Sequence, residues 1–173
     1  MNLIVTCPRH LEPETEEELM SILGEFGDSD VKVSITNMSG ILTAETQLDP
    51  IEVVKKIKDM LLDEPWSVRY CKRIIPIQKV IESNIDEIEK SVVELSSQIL
   101  EDETYRISIE KRNSDLSSKE IITKIADKIK NKVSLEFPDK ILLVEILGNE
   151  TGVSVLKKSD ILSTEKTKRS MSE

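Results

Sequence analysis

Residues 1–75 carry hydrophobic positions at two spacings, one typical of strands and one typical of helices. Residues 31–35 alternate between apolar and polar, as in a half-buried strand. Asp49 followed by Pro50 is typical of a helix start, because aspartate caps free N–H groups and proline suits the first helical position. With their neighbours, these segments predict a strand, a helix, two strands, a helix and an extended segment at 68–75.

Residues 84–156 show a second series of capped helices and alternating strands. Asn84 and Ser117 each precede a run of helically spaced apolar residues, and each is followed three residues later by glutamate, as in a capping box. Residues 104–110 alternate between polar and apolar, whereas residues 141–147 are nearly all apolar, as in a strand covered on both faces. Further strands are predicted at 133–137 and 152–156.

The two series predict an α+β protein made of two small units. The first series, β-α-β-β-α-β, is the ferredoxin-like pattern, in which the first and last strands pair. We therefore expect an N-terminal ferredoxin-like α/β sandwich at 1–75 and a second α/β domain at 76–160. Residues 161–173 are polar and of mixed charge, and they predict a mobile tail.

Charge is distributed unevenly along the chain, whose net charge is −9. Residues 1–64 hold 14 acidic and 5 basic residues, whereas residues 65–80 hold 4 basic residues and no acidic one. Residues 104–140 hold 9 basic and 6 acidic residues. Grouped basic charge suits a polyanionic ligand, but on charge alone an ordinary solvated surface is the better interpretation. Because only 3% of the residues are aromatic, base stacking on single-stranded nucleic acid is disfavoured.

Candidates for catalysis or metal binding are few. His10 is the only histidine, and a metal site built on Cys7 and His10 would need two more ligands. The sequence contains no phosphate-binding loop, dinucleotide-binding turn or serine nucleophile motif. We therefore expect no catalytic residue, no metal and no cofactor.

The two cysteines, Cys7 and Cys71, form no CxxC motif, which favours a reducing, cytoplasmic setting. A disulfide between them stays open, because pairing of the first and last strands would bring them close. The N-terminus lacks the basic region and the apolar core of a signal peptide. The longest apolar run, residues 141–144, is far shorter than the ~20 residues of a membrane span.

A basic turn follows the alternating strand at 104–110. Lys111, Arg112 and Asn113 lie where this strand ends, and a capped helix that carries Lys119 begins shortly afterwards. Free N–H groups at a helix start favour phosphate, and arginine can donate two parallel hydrogen bonds to it. Taken by itself, the turn also fits a strand end that happens to be basic.

The segments around this turn resemble, in order, the core of a THUMP domain, the RNA-binding module of several tRNA-modifying enzymes. The first unit resembles the ferredoxin-like domain that precedes THUMP domains, and Arg73-Ile74-Ile75-Pro76 resembles its usual exit. The matching segments of the second unit are Tyr105–Asn113, Ser118–Ile121, Val133–Asp139, Val144–Ile146 and Gly152–Ser154.

The resemblance implies a function and a set of contacts. THUMP domains usually accompany a catalytic domain, but here only 17 residues follow Leu156. The chain thus resembles the stand-alone branch, non-catalytic adaptors that hold the acceptor stem and 3′ end of tRNA for the acetyltransferase that makes N4-acetylcytidine. Such an adaptor implies tRNA and an RNA cytidine acetyltransferase as partners, and neither a membrane nor a small-molecule substrate. The implied RNA contacts are Lys111, Arg112, Asn113 and Lys119, with Arg73 from the linker and, secondarily, Lys157 and Lys158.

Two other functions stay open at this point. The acidic residues 1–64 also suit a protein–protein scaffold that binds no RNA. An enzyme that uses Cys7 and His10 is the third interpretation.

Overall fold

The computed structural model describes residues 1–171, which divide into two compact units. Unit 1 is Met1–Ile77 together with the segment that begins at Asp160, and unit 2 is Gln78–Ser159. No helix within residues 1–171 is long and apolar enough to cross a membrane. The elements are β1 Leu3–Thr6, α1 Glu12–Glu25, β2 Lys32–Ile35, β3 Ile41–Glu45, α2 Pro50–Asp63, β4 Arg73–Pro76, β5 Lys79–Glu82, α3 Ile85–Leu95, β6 Tyr105–Arg112, α4 Ser118–Ala126, β7 Lys140–Leu147, β8 Glu150–Leu156, β9 Leu162–Ser163 and α5 Thr164–Met171.

β1 lies at the centre of the unit 1 sheet, whose strand order is β2-β3-β1-β4-β9. It pairs antiparallel with both β3 and β4, so the first and last strands of the β-α-β-β-α-β series are neighbours. Leu3 and Val5 of β1 share a buried core with Leu19 of α1 and with Val53 and Ile57 of α2. The predicted α+β class and the ferredoxin-like pairing are confirmed.

The C-terminal segment forms secondary structure instead of the mobile tail that its polar composition predicts. β9 pairs antiparallel with β4 and places Leu162, a buried residue of the unit 1 core, opposite Ile74. α5 packs beside α2, and the Thr164 hydroxyl donates a hydrogen bond to the Cys71 carbonyl oxygen at 2.9 Å. The prediction is corrected for residues 162–171, because one buried leucine and a few hydrogen bonds hold a polar segment. Residues 172 and 173 lie outside the described residues.

The unit 2 sheet has the strand order β5-β8-β7-β6, in which β6 is parallel to β7 and β8 is antiparallel to both β5 and β7. α3 and α4 contribute Ile88, Val92, Ile121 and Ile125 to a core that also holds Tyr105 of β6. The Asn84 and Ser117 side chains cap the two helices as predicted, because each accepts a hydrogen bond from the backbone N–H three residues later.

Two local predictions for unit 2 differ from the structure. Residues 133–137 form no strand, and only an isolated bridge joins Val133 to Tyr105. The backbone of this segment is instead tied to the start of β6 by single hydrogen bonds, which leaves its alternating side chains outside the sheet. β5 was not predicted, because four residues at a sheet edge, mostly exposed, carry no clear hydrophobic pattern.

Candidate functional site

The carboxyl ends of three strands meet at one edge of the unit 2 sheet, here called the carboxyl edge. β5, β6 and β7 all point toward this edge, since β5 and β7 are both antiparallel to β8 and β6 is parallel to β7. α3 and α4 begin just after β5 and β6, so both capped helix N-termini lie here. Open sheets with this connectivity commonly bind ligands at this edge.

The basic turn lies at the carboxyl edge, but the strand before it is longer than predicted. Lys111 and Arg112 are the last residues of β6, where they pair with Ile146 and Leu147, and only Asn113 follows the strand. Asn113 has a φ of 55°, a left-handed conformation that asparagine tolerates better than most residues. The backbone N–H of Gly148, in the β7–β8 turn, donates to the Arg112 carbonyl oxygen at 2.9 Å. Lys111 donates from Nζ to the Leu116 carbonyl oxygen at 2.7 Å, which closes the loop between β6 and α4. The turn is therefore held by contacts from both sides.

Arg112 forms an ion pair with a buried acid. Its Nη1 lies 3.5 Å from Oε2 of Glu145, which is in the middle of β7. The Glu145 side chain is 1% exposed, whereas that of Arg112 is 32% exposed. Glu145 thus engages Nη1 of the guanidinium, while the Arg112 side chain stays partly exposed. Glu145 was not singled out from the sequence, because it lies within a strand that is otherwise almost entirely apolar.

The lysines of α4, and Lys128 just after it, differ in their surroundings. Lys124 pairs with Asp86 of α3 at 3.6 Å, and Lys128 pairs with Glu89 at 2.6 Å. Lys119, in the first turn, is exposed, and the structure of residues 1–171 shows no ion pair for it. Lys119 is therefore the α4 lysine best placed to meet a ligand at the carboxyl edge.

The other three predicted contacts lie elsewhere. Lys157 and Lys158 follow the end of β8, and Leu156 pairs with Ile141 at the start of β7, so both lysines lie at the opposite edge of the sheet. The length of β7 separates the two edges by about 23 Å, at roughly 3.3 Å per residue. Arg73 belongs to unit 1, where it opens β4 and pairs with Thr6 and Ser163. Unit 2 thus brings together Lys111, Arg112, Asn113 and Lys119.

Acidic side chains accompany the basic ones at the carboxyl edge. Some of them come from other strands or from α3, whereas Glu110, Asp115 and Glu120 lie beside the basic turn in the sequence itself. Their negative charge lowers the positive electrostatic potential of this edge. Binding of an anion there therefore depends more on individual hydrogen-bond donors than on long-range electrostatic attraction. The exposed acids at this edge include Glu82, Asp86, Glu87, Glu110, Asp115, Glu120 and Glu150.

The cysteines and the histidine of unit 1 form no reactive pair. Cys7 and Cys71 are both buried and free, and burial raises the pKa of both thiols, that of Cys71 strongly. A protonated thiol is a weak nucleophile. His10 is exposed on a turn with a φ of 72°. Among the described residues, no group of three or more His, Cys, Asp or Glu side chains is arranged to hold a metal ion.

Unit 1 also contains an acidic cleft of about 440 Å³ between α1 and the end of α2. Glu18 at its wall accepts hydrogen bonds from the backbone N–H groups of Arg69, Tyr70 and Cys71, and so fixes the segment before β4. The cleft is lined by Glu14, Glu17, Glu18, Ser21, Ile22, Glu25, Met60, Glu64, Ser67 and Tyr70.

Known proteins resemble the chain over most of its length. An uncharacterised protein of Methanocaldococcus jannaschii is 28% identical over the whole chain, which covers 46% of that relative. The chain thus spans about half the length of the relative it matches.

Two solved structures share the fold. PH1313 of Pyrococcus horikoshii has a TM-score of 0.63 at 16% identity, over 91% of this chain and 55% of that one. A 4-thiouridine synthetase, solved in complex with RNA and ATP, has a TM-score of 0.56 at 12% identity, over 94% of this chain and 42% of that one. At these identities the likeness concerns the fold alone.

The carboxyl edge, the basic turn and both capped helices fall within or directly beside one matched segment. Residues 82–156 match the family model of the THUMP domain, and they make up most of unit 2. The chain therefore contains a THUMP domain, the RNA-binding module that the ordered motifs of its second half resemble.

Proposed function

We propose that this protein binds tRNA and presents it to a tRNA-modifying enzyme, without catalysing a reaction itself. The THUMP match over residues 82–156 is the observation that carries the proposal. The 4-thiouridine synthetase with the same fold was solved with RNA bound, which supports an RNA ligand for this fold. In the proposed complex the protein holds the acceptor stem and 3′ end of tRNA.

The carboxyl edge of unit 2 supplies donors of the kinds that phosphate requires. Arg112 offers a partly exposed guanidinium group, Lys119 is an exposed lysine, and Asn113 is an exposed asparagine with a side-chain amide. These donors sit beside the α4 N-terminus, whose backbone N–H groups also favour anions. The nearby acidic residues weaken the electrostatic attraction of this edge for RNA. We therefore expect a modest affinity for tRNA that falls steeply as the salt concentration rises.

The partner enzyme that we propose is an RNA cytidine acetyltransferase, in the cytoplasm. The proposal rests on the resemblance of the ferredoxin-like and THUMP units to the adaptors of such an enzyme. The test is tRNA acetylation by such an enzyme in the presence and absence of this protein. We expect the protein to raise the rate of tRNA acetylation in a way that depends on the THUMP unit. An acetylation rate that the protein does not change would rule out this enzyme as the partner.

The RNA-binding step is tested with variants that leave the fold unchanged. Asn113→Gly keeps a residue that accepts the positive φ, and Lys119→Ala removes a side chain for which residues 1–171 show no ion pair. The double variant should bind tRNA more weakly at low salt, and the salt slope should fall by about 0.7–0.9 for each phosphate that the protein no longer neutralises. Lys58→Ala, an exposed lysine on α2, is the matched control. Binding by the double variant equal to that of the parent would remove the carboxyl edge as the RNA-binding surface.

A second candidate function is a scaffold that binds a basic protein segment. The acidic cleft of unit 1 favours it, because five of its lining residues are glutamates. A gel shift with tRNA, with and without its 3′ CCA end, separates the two functions. The scaffold predicts no shift even at low salt, whereas the adaptor predicts a shift that weakens without the CCA end.

A further inference from the structure

The loop between α4 and β7, residues 130–139, projects apolar side chains into solvent. Val133 is 55% exposed, Leu135 is 71% exposed and Phe137 is 83% exposed. Phenylalanine is among the residues most often buried, so a ring that is four-fifths exposed is unusual in a folded segment. The loop lies at the amino ends of β6 and β7, the edge opposite to the carboxyl edge.

Hydrogen bonds hold this loop along the start of β6. Tyr105 donates its N–H to the Lys132 carbonyl oxygen, and its own carbonyl oxygen accepts from the Ser134 N–H, both at 3.0 Å. Closer to the ring, the Phe137 N–H donates to the Ser134 hydroxyl oxygen at 3.2 Å. The Asp139 carboxylate accepts from the Thr104 N–H at 2.8 Å. The exposed ring is therefore presented by a fixed backbone.

Cationic residues lie near Phe137 along the chain, and one of them contacts the loop backbone. Arg106 donates from Nη1 to the Leu135 carbonyl oxygen at 3.0 Å, which places a guanidinium against the loop itself. Lys130 and Lys132 are exposed in the loop, and the structure of residues 1–171 shows no ion pair for either. Proteins that bind single-stranded nucleic acid combine aromatic rings, on which bases stack, with cationic side chains that bind the phosphates.

The acids nearby are partly engaged by the protein. Glu103 pairs with Lys140 at 2.6 Å, and this hydrogen bond lowers the pKa of the Glu103 carboxyl. Asp139 is held by Thr104, as described above. The exposed acids of this edge include Glu101, Asp102, Glu136 and Asp139.

We propose that the loop is a binding site for an unpaired nucleotide of RNA, whose base stacks on Phe137 while Arg106, Lys130 and Lys132 bind the flanking phosphates. This site rests on the proposed RNA binding and adds a second contact, about 23 Å from the carboxyl edge by the strand rise used above. It also revises the expectation from composition: aromatic residues are few, but one of them is placed where a base can reach it.

The test compares two RNA hairpins, one blunt and one with a short unpaired overhang, by fluorescence anisotropy at low salt. Phe137→Ala should weaken binding of the overhang RNA by at least about fivefold, the low end of what base–aromatic stacking contributes. Binding of the blunt hairpin should not change. Phe137→Trp should keep or strengthen overhang binding, since indole also stacks.

Leu135→Ala is the matched control, because Leu135 is similarly exposed but has no ring to stack. If Phe137→Ala binds the overhang RNA like the parent, the proposed site is overturned. If Leu135→Ala loses as much affinity as Phe137→Ala, stacking is also overturned, and the loop is a general apolar surface suited to a protein partner. If the parent binds neither hairpin and no tRNA, the proposed function itself fails.

Discussion

Removing the Arg112 side chain should destabilise unit 2, because its partner Glu145 is a carboxylate buried to 1% exposure. At 3.5 Å and an effective dielectric constant of about 20, the attraction between the two charges is about 5 kcal/mol. Two effects reduce its net value, since Arg112 is 32% exposed and can be solvated, and burial of Glu145 has its own desolvation cost. We therefore expect Arg112→Ala to lower the free energy of unfolding by about 1–3 kcal/mol.

A double-mutant cycle isolates this pair. Arg112→Ala, Glu145→Gln and the double variant are compared by urea unfolding followed by far-UV circular dichroism, with amide hydrogen exchange at β7 as the local readout. Arg112→Ala should cost more stability in the parent than in the Glu145→Gln background, with a coupling of about 0.5–3 kcal/mol. Lys119→Ala, an exposed residue of the same edge, should change stability by less than about 0.5 kcal/mol.

The reasoning is refuted if Arg112→Ala is within about 0.5 kcal/mol of the parent, or if the two substitutions add without coupling. The outcome also decides how RNA-binding data are interpreted. From the sequence, Lys111→Ala with Arg112→Ala would be a clean test of the basic turn. In the structure, Lys111 closes a loop and Arg112 balances a buried charge, so loss of RNA binding in that variant would combine two causes.

Two further predictions concern the unit 1 fold. Gly40 has a φ of +76°, and an added Cβ would lie 2.7 Å from the Cys7 carbonyl oxygen, so Gly40→Ala should lower stability by about 1–3 kcal/mol in thermal melts. Gly24→Ala lies inside α1 with no atom within 4 Å of the added Cβ, so this variant should instead raise the stability by about 0.5–1 kcal/mol. A loss of stability in both variants would contradict the argument. Deleting residues 161–173 should destabilise unit 1 by about 1.5–3 kcal/mol or more, because it removes the buried Leu162 and the Thr164 hydrogen bond. Deleting only residues 172–173 is the control, and equal melting temperatures for the two truncations would mean that β9 and α5 contribute nothing.

Much of the secondary structure could be predicted because its causes are local. Asn84, Ser117 and Asp49 cap the helices that their sequence context predicts, since a cap needs only the N–H groups two or three residues away. The order of elements also predicts the pairing of β1 with β4. By contrast, the 133–137 segment alternates as a strand does, but it makes only one bridge, so its apolar residues stay in solvent.

The candidate site was only partly visible in the sequence. The basic turn could be found, because its three residues are contiguous and stand at the end of a clear strand. Its surroundings could not, because Glu145, Glu82 and Glu150 come from other strands, which only the sheet pairing brings to the same sheet as the turn. Phe137 likewise fits the alternating pattern of a strand in the sequence, and only the structure shows that it is exposed in a loop.

The sequence by itself determined the two-unit α+β plan, the capped helices and the basic turn, because hydrophobic period, caps and contiguous charge act over a few residues. Tertiary structure alone decided which charges meet. It paired Arg112 with a buried acid, engaged Lys124 and Lys128 with α3, and separated Lys157 and Lys158 from the turn by the length of a strand. It also drew the polar C-terminal segment into unit 1. These outcomes depend on contacts between residues distant in the chain, which no local pattern encodes.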